Sequence, residues 1–223
     1  MKNKVLILAP HPDDEVLGCG GIMKKYSEAE NEVFVLVITR GTPKHYSDEK
    51  ILNVRQEARS AHKILGVKET SFLDFHAPEL DIVNKSEISR AISTYISKWA
   101  ITDMYLPHRG DIHHDHRAVF EAALVAARPV GNYCVKNIHA YETLSETEWA
   151  PPFSDDAFIP THFVNIENEM ESKLEAMKCY RSQVRPFLST RSLATIEALA
   201  KFRGATVGFK RAEAFMTIRT ITN

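Results

Sequence analysis

The chain has 223 residues, 44% of them hydrophobic, with 28 basic and 29 acidic side chains and a formal net charge of −1. That is enough apolar material for one substantial core, so a single α/β-sized domain is expected. Balanced charge without a run of like sign argues against a nucleic-acid or phospholipid surface as the main partner, and no stretch approaches the roughly 20 apolar residues of a membrane span.

Met1 to Lys4 lead directly into a strand-like run without a signal-peptide core, so a cytoplasmic protein is expected. Val5–Leu8 is a continuous branched run, the pattern of a strand covered on both faces, and it ends at Pro10 and Pro12. Apolar residues at helical spacing then run from Asp14 to about Glu30, with Asp13, Asp14 and Glu15 where the helix dipole favours negative charge. Val33–Ile38 is a second buried strand, and Asn53–Leu65 a second helix closed by Gly66. The alternation predicts a parallel sheet. It continues with a strand at Ser71–Phe75, a helix at Lys85–Lys98, a short strand at Met104–Pro107 and a helix from about His116 to Ala127. Strands are expected at Asn137–Glu142 and Thr161–Ile166, with Pro151-Pro152 in a loop between them. Amphipathic helical segments at Glu167–Tyr180 and Leu193–Phe202 are separated by Arg185-Pro186. The odd, widely spaced cysteines Cys19, Cys134 and Cys179 read as reduced thiols, neither a disulfide framework nor a Cys-based metal site.

Ligands of open parallel sheets sit beyond the carboxyl ends of the strands, and two charged segments fall there. In the first, His11-Pro12-Asp13-Asp14-Glu15 follows a buried strand. Proline and acidic residues suit a helix N-terminus, but that does not account for His11. Divalent transition metals prefer imidazole and carboxylate, and a turn can aim residues i and i+3 at one point. His11 and Asp14 are therefore candidate ligands. Asp13, left over beside them, is the candidate base that takes a proton from activated water.

The second segment, Asp111-Ile112-His113-His114-Asp115-His116-Arg117, follows the fourth strand. Considered alone it could be a surface histidine cluster. Two such clusters at the ends of strands of one sheet converge in space, and that favours a metal site. His113 and His116 share a face of an opening helical turn; one can bind metal while the other faces substrate as an imidazolium, stabilising an oxyanion or protonating a leaving amine. Asp111 or Asp115 can hydrogen-bond a ring N–H and fix its tautomer.

The two segments resemble the signature motifs of the LmbE/PIG-L family of zinc-dependent N-acetylglucosamine deacetylases. The likeness extends to Arg55-Gln56-Glu57-Ala58 with Leu65-Gly66, Tyr141-Glu142, Lys173, Tyr180-Arg181-Ser182-Gln183, Arg203-Gly204 and Ala212-Glu213-Ala214-Phe215. It implies one domain over residues 1–223 with a Rossmann-like, mostly parallel sheet flanked by helices. It also implies that His11, Asp14 and His116 bind Zn2+, that Asp13 is the general base, and that His113 assists the tetrahedral intermediate. The implied reaction is hydrolysis of the acetamido group of an N-acetylated sugar or glycoconjugate, releasing acetate and an amine. A His2Asp site also accepts Fe2+, and the resemblance leaves a homo-oligomer open. The sequence departs from the family pattern at His114, where proline is common, and the tyrosine that some members place near this loop has no counterpart assigned.

Gly18-Cys19-Gly20-Gly21 lies inside a predicted helix, so close packing is favoured over a phosphate loop. Arg40 after the second strand, and Arg185 and Arg191 in the Ser/Thr-rich loop, are candidate substrate contacts, the latter two for an anionic aglycone. Glu142 suits a rim or a structural carboxylate equally. The single histidines 45, 62, 76, 108, 139 and 162 are read as structural or solvent-facing. A metal-dependent amidohydrolase on a non-sugar N-acyl substrate, and a non-catalytic metal- or nucleotide-binding protein, are the competing functions.

Overall fold

The computed structural model describes residues 2–130 and 134–222. Seven strands, β1 (Lys4–Ala9), β2 (Glu32–Gly41), β3 (Glu69–Ala77), β4 (Asp103–Pro107), β5 (Asn137–Tyr141), β6 (His162–Asn165) and β7 (Ala212–Arg219), form one sheet in the order β3-β2-β1-β4-β5-β7-β6. The first five are parallel, with Val5 beside Val33 on one side and Asp103 on the other. β7 runs antiparallel to both β5 and β6. β1 is thus the strand from which the chain winds first one way and then the other, and its carboxyl end beside that of β4 is the switch point where such sheets bind ligands.

The helices are α1 (Asp14–Glu28), α2 (Asp48–Leu65), α3 (Lys85–Trp99), α4 (His114–Ala126), α5 (Met170–Cys179) and α6 (Leu193–Ala205). Alternation along β1 divides the core in two. Val5, Ile7 and Ala9 pack with residues of α1, α2, α5 and α6, while Leu6 and Leu8 pack with α3 and α4. Both faces of the sheet are covered, which is why the strands read as unbroken apolar runs. Among the described residues no helix is long and apolar enough to cross a membrane.

Helix α2 starts five residues before the expected Asn53, because Ser47 caps it by accepting from the Lys50 amide. The sequence reading missed β7 as a strand. It alternates poorly, since Ala212 to Phe215 are all buried and the exposed residues come only afterwards. The glycines of α1 do serve packing: a Cβ on Gly18 would lie 2.2 Å from the Tyr141 ring, and one on Gly21 2.7 Å from Ile166.

Candidate active site

The chain leaves β1 through Pro10 and turns sharply into α1 at Asp13, whose φ of 112° is left-handed. A buried clamp holds this turn. The Asp13 amide donates to Glu15 Oε2 (3.1 Å), while Glu15 Oε1 accepts from His62 Nε2 (2.9 Å) and from the Tyr180 hydroxyl. His62 is further held at Nδ1 by Thr70 (2.8 Å). Glu15, the third acid of the first motif, therefore serves the turn, and Asp13 and Asp14 are left to face the site.

One ligand atom each from His11, Asp14 and His116 can be chosen within 4.8 Å of one another. Asp14 Oδ2 lies 3.3 Å from His11 Nδ1 and 3.2 Å from His116 Nε2, and it also accepts from the His11 amide at 2.8 Å. Each imidazole is oriented from behind by a carboxylate. His116 Nδ1 bonds Asp111 (2.7 Å), which Thr147 holds at 2.6 Å, and His11 Nε2 bonds Asp115 (2.9 Å), which the Leu80 amide holds at 2.9 Å.

Among the described residues, Asp14 Oδ1 and His116 Nε2 are buried without a hydrogen-bond partner, which is costly unless another group meets them. The electrostatics agree. Burial works against charge on His11 and His116, yet Asp115 and Asp14 lift His11 to about 9, and Asp14 and Asp111 raise His116 well above its ordinary value. Burial would likewise raise Asp14, but His116 and His11 hold it well below the usual carboxylate range. The cluster recruits positive charge, and its donors are those a divalent cation takes. His11, His113 and Asp115 form an overlapping group within 4.8 Å. There, however, both Asp115 oxygens and His113 Nδ1 already have protein partners, the last being the Asp115 amide at 3.1 Å. His114 is exposed and belongs to neither group.

A cavity of about 620 Å³ reaches this cluster at His11, and Asp13, His113, Glu146 and Arg191 also line it. Asp13 is 2% exposed, and burial lifts its carboxyl to about 8 against the pull of Arg191. Arg191 Nη1 donates to Asp13 Oδ2 at 3.2 Å. His113 has its pKa pushed down to about 4 by burial and by the neighbouring charges of His11 and His116. Because its Nδ1 accepts, its proton sits on Nε2, so it is a neutral N–H donor and not the imidazolium read from the sequence.

The profile of the family described as "PIG-L: GlcNAc-PI de-N-acetylase" matches residues 6–127, a stretch that carries both motifs. The chain belongs to the PIG-L family. It is 32% identical over 197 residues to a diacetylchitobiose deacetylase of Thermococcus kodakarensis, covering 81% of this chain and 70% of the relative. It is 25% identical over 198 residues to a probable N-acetyl-alpha-D-glucosaminyl L-malate deacetylase 2 of Bacillus anthracis, covering 82% and 83%. Among solved structures, the N,N'-diacetylchitobiose deacetylase of Pyrococcus horikoshii superposes with a TM-score of 0.77 at 23% identity, covering 97% of this chain and 84% of that one.

Within this PIG-L fold the three arginines read from the sequence part company. Arg40 does not line the cavity: it alternates away from Thr39 and Gly41, which do, and pairs with Asp48 at the start of α2 (3.1 Å). Arg185 lines the cavity with Lys50 and His45, all three exposed, and the half-buried Arg191 lines it beside Asp13. Glu142 is structural, gripped by Arg203 through two bonds of 2.7 and 2.6 Å. The carboxylate that reaches the cavity from this loop is Glu146, which the sequence reading missed. Burial raises its pKa to about 7. Its only sequence signal was its place beyond the end of β5, on the same side of the sheet as both motifs.

Proposed function

We propose that the chain removes the acetyl group from an N-acetylglucosamine-type sugar or conjugate, with His11, Asp14 and His116 holding Zn2+ or Fe2+. One observation carries this reading. A buried His2Asp cluster with unpartnered ligand atoms adjoins a carboxylate, Asp13, that faces the same cavity without being part of the cluster. A structural zinc site is usually closed by four protein ligands, so three ligands with a spare base suit a hydrolytic centre.

A bound divalent ion supplies Lewis acidity toward water and the amide carbonyl. The chain does the rest. Asp13 takes a proton from the attacking water and delivers it to the departing amine nitrogen. His113 donates from Nε2 to the carbonyl oxygen as negative charge develops there, which assigns it the polarising role. Asp111 and Asp115 keep the ligand imidazoles in register. Lys50, His45 and Arg185, exposed residues of the cavity lining, favour a substrate whose aglycone is acidic.

Free Cys19, Cys134 and Cys179 support a reducing, cytoplasmic setting. Exposed Phe153, Phe187 and Leu188 favour a homo-oligomer, which a solution mass would establish.

Asp13→Ala is the test. It should keep one equivalent of metal and lose at least ~10²-fold in rate of acetate release. Unchanged turnover overturns the assignment. A panel of N-acetylglucosamine, its neutral and acidic glycosides, and N-acetyl amino acids separates a sugar deacetylase from an amidohydrolase of other acyl amines.

A further inference from the structure

Arg191 reads from the sequence as a hand for the substrate. We propose instead that it is the positioning residue of Asp13, an inference that rests on the reading of Asp13 as base. Its guanidinium joins three separate segments. Nε donates to Ser145 Oγ (2.6 Å), Nη1 to Asp13 Oδ2 (3.2 Å) and Gln183 Oε1 (3.2 Å), and Nη2 reaches Glu146 Oε1 (3.5 Å). Five N–H groups are available on a guanidinium, and four of them are spent on the protein. No parallel pair remains to grip a carboxylate or phosphate of the substrate in a fork.

The backbone of Asp13 is held in turn. Its amide is bonded to Glu15, and its carbonyl accepts from the amides of Val16 and Leu17. Among the described residues Arg191 is the one side chain that bonds the Asp13 carboxylate, and it takes Oδ2. Among the described residues no group donates to Oδ1, and Asp13 is one of the residues that line the cavity. One oxygen anchored and one open is the geometry of a carboxylate that must accept a proton along a fixed direction. The anchor comes from a loop far in sequence, and Ser145, with φ of 74°, is itself held in a left-handed conformation where it meets Arg191. Lysine, a point charge on a flexible stem, cannot span these partners.

The test compares Arg191→Met and Arg191→Lys, alone and combined with Asp13→Asn. Each is assayed for acetate release from the best acetylated glucosaminide, and for metal content and melting temperature, and the crystal structure of Arg191→Met is determined. The expected result is a fall in kcat of about 10²-fold with KM within about 2-fold, part recovery with lysine or with added methylguanidinium, and an unchanged metal equivalent. In the Asp13→Asn background the same change should cost no more than about 2-fold further, because a residue acting through Asp13 has nothing left to act on. In the crystal the Asp13 carboxylate should leave its present rotamer. A raised KM with unaltered kcat, a full further loss in the double variant, or an unmoved Asp13 carboxylate in Arg191→Met overturns the proposal. The last holds whatever the substrate proves to be, so failure here is distinct from failure of the deacetylase reading, which an active Asp13→Ala would bring.

Discussion

Asp13 occupies a backbone conformation that suits glycine, and this yields a test in which the usual order of two substitutions reverses. An L-residue in a left-handed conformation is strained by roughly 1–2 kcal/mol, and φ of 112° is well inside the region where this applies. Glycine relieves that strain but loses more conformational entropy on folding, a penalty of roughly 0.5–1 kcal/mol relative to alanine. Both Asp13→Ala and Asp13→Gly delete the carboxylate and its bond to Arg191, so those losses cancel in the comparison. The difference is left to the backbone, and Asp13→Gly should be the more stable by about 0.5–1 kcal/mol, or roughly 1–4 °C in Tm for a chain of this size. Calorimetric melting of the two variants at matched metal content measures it. Both should be inactive. An alanine variant that melts at or above the glycine variant would refute the claim that the turn stores strain for the sake of a carboxylate.

Gly18→Ala places a methyl group against the buried Tyr141 ring, whose hydroxyl is tied to the Leu8 carbonyl at 2.7 Å, and should cost roughly 1–3 kcal/mol as a lowered melting temperature. His139, stacked between Tyr105 and His162, has its pKa pushed down by burial to about 4. The unfolded chain therefore binds this proton near 6.5 and the folded chain only near 4, so stability falls as pH drops through that window, by up to about 3 kcal/mol. His139→Phe should lose that much less between pH 6.5 and 4 in denaturant titrations; equal acid sensitivity in both proteins would discard the argument. Stripping divalent metal with a chelator should abolish acetate release, with zinc or iron(II) restoring it, and Asp14→Asn should lower the bound metal measured by elemental analysis. Lys50→Gln with Arg185→Gln should reduce kcat/KM by about 10-fold for an acidic glycoside and leave a neutral one unchanged, read in parallel assays.

Much of this arrangement was legible because it is local. Val5–Leu8 and Val33–Ile38 announce a sheet covered on both faces, and His11 with Asp14, three apart on a turn, announce a pair of donors. What escaped is what depends on distant segments meeting. β7 gains its place from pairing between β5 and β6, which no pattern within Ala212–Arg219 reveals. Glu142 and Glu146 look alike in sequence; Arg203 claims the first, and the second is left to the cavity. Arg40 and Arg191 were equally plausible contacts until the pleat turned one toward Asp48 and the loop carried the other to Asp13. His62, a lone histidine in the sequence, is structural in a specific way: it backs the carboxylate that holds the turn at Asp13.

The division of labour among the three clustered histidines follows from what stands behind each ring. Spacing alone gives His113 and His116 the same face and cannot tell a ligand from a donor. Behind His11 and His116 are the carboxylates of Asp115 and Asp111, which make an imidazole more basic and suit it to a cation. Behind His113 is the Asp115 backbone amide. The residue is the N-cap of α4, a post normally filled by serine, threonine, aspartate or asparagine, and its Nδ1 does their work by accepting an amide proton of the first turn. A nitrogen that accepts cannot also carry the proton, so the requirement to cap a helix fixes the tautomer and puts the N–H on Nε2. Among the described residues no carboxylate hydrogen-bonds this ring; burial and the charges of His11 and His116 outweigh the nearby Asp115 and Asp14, and it stays a neutral donor beside two imidazoles that draw charge. One acid, Asp115, thereby separates the two rings, lending its side chain to His11 and its amide to His113.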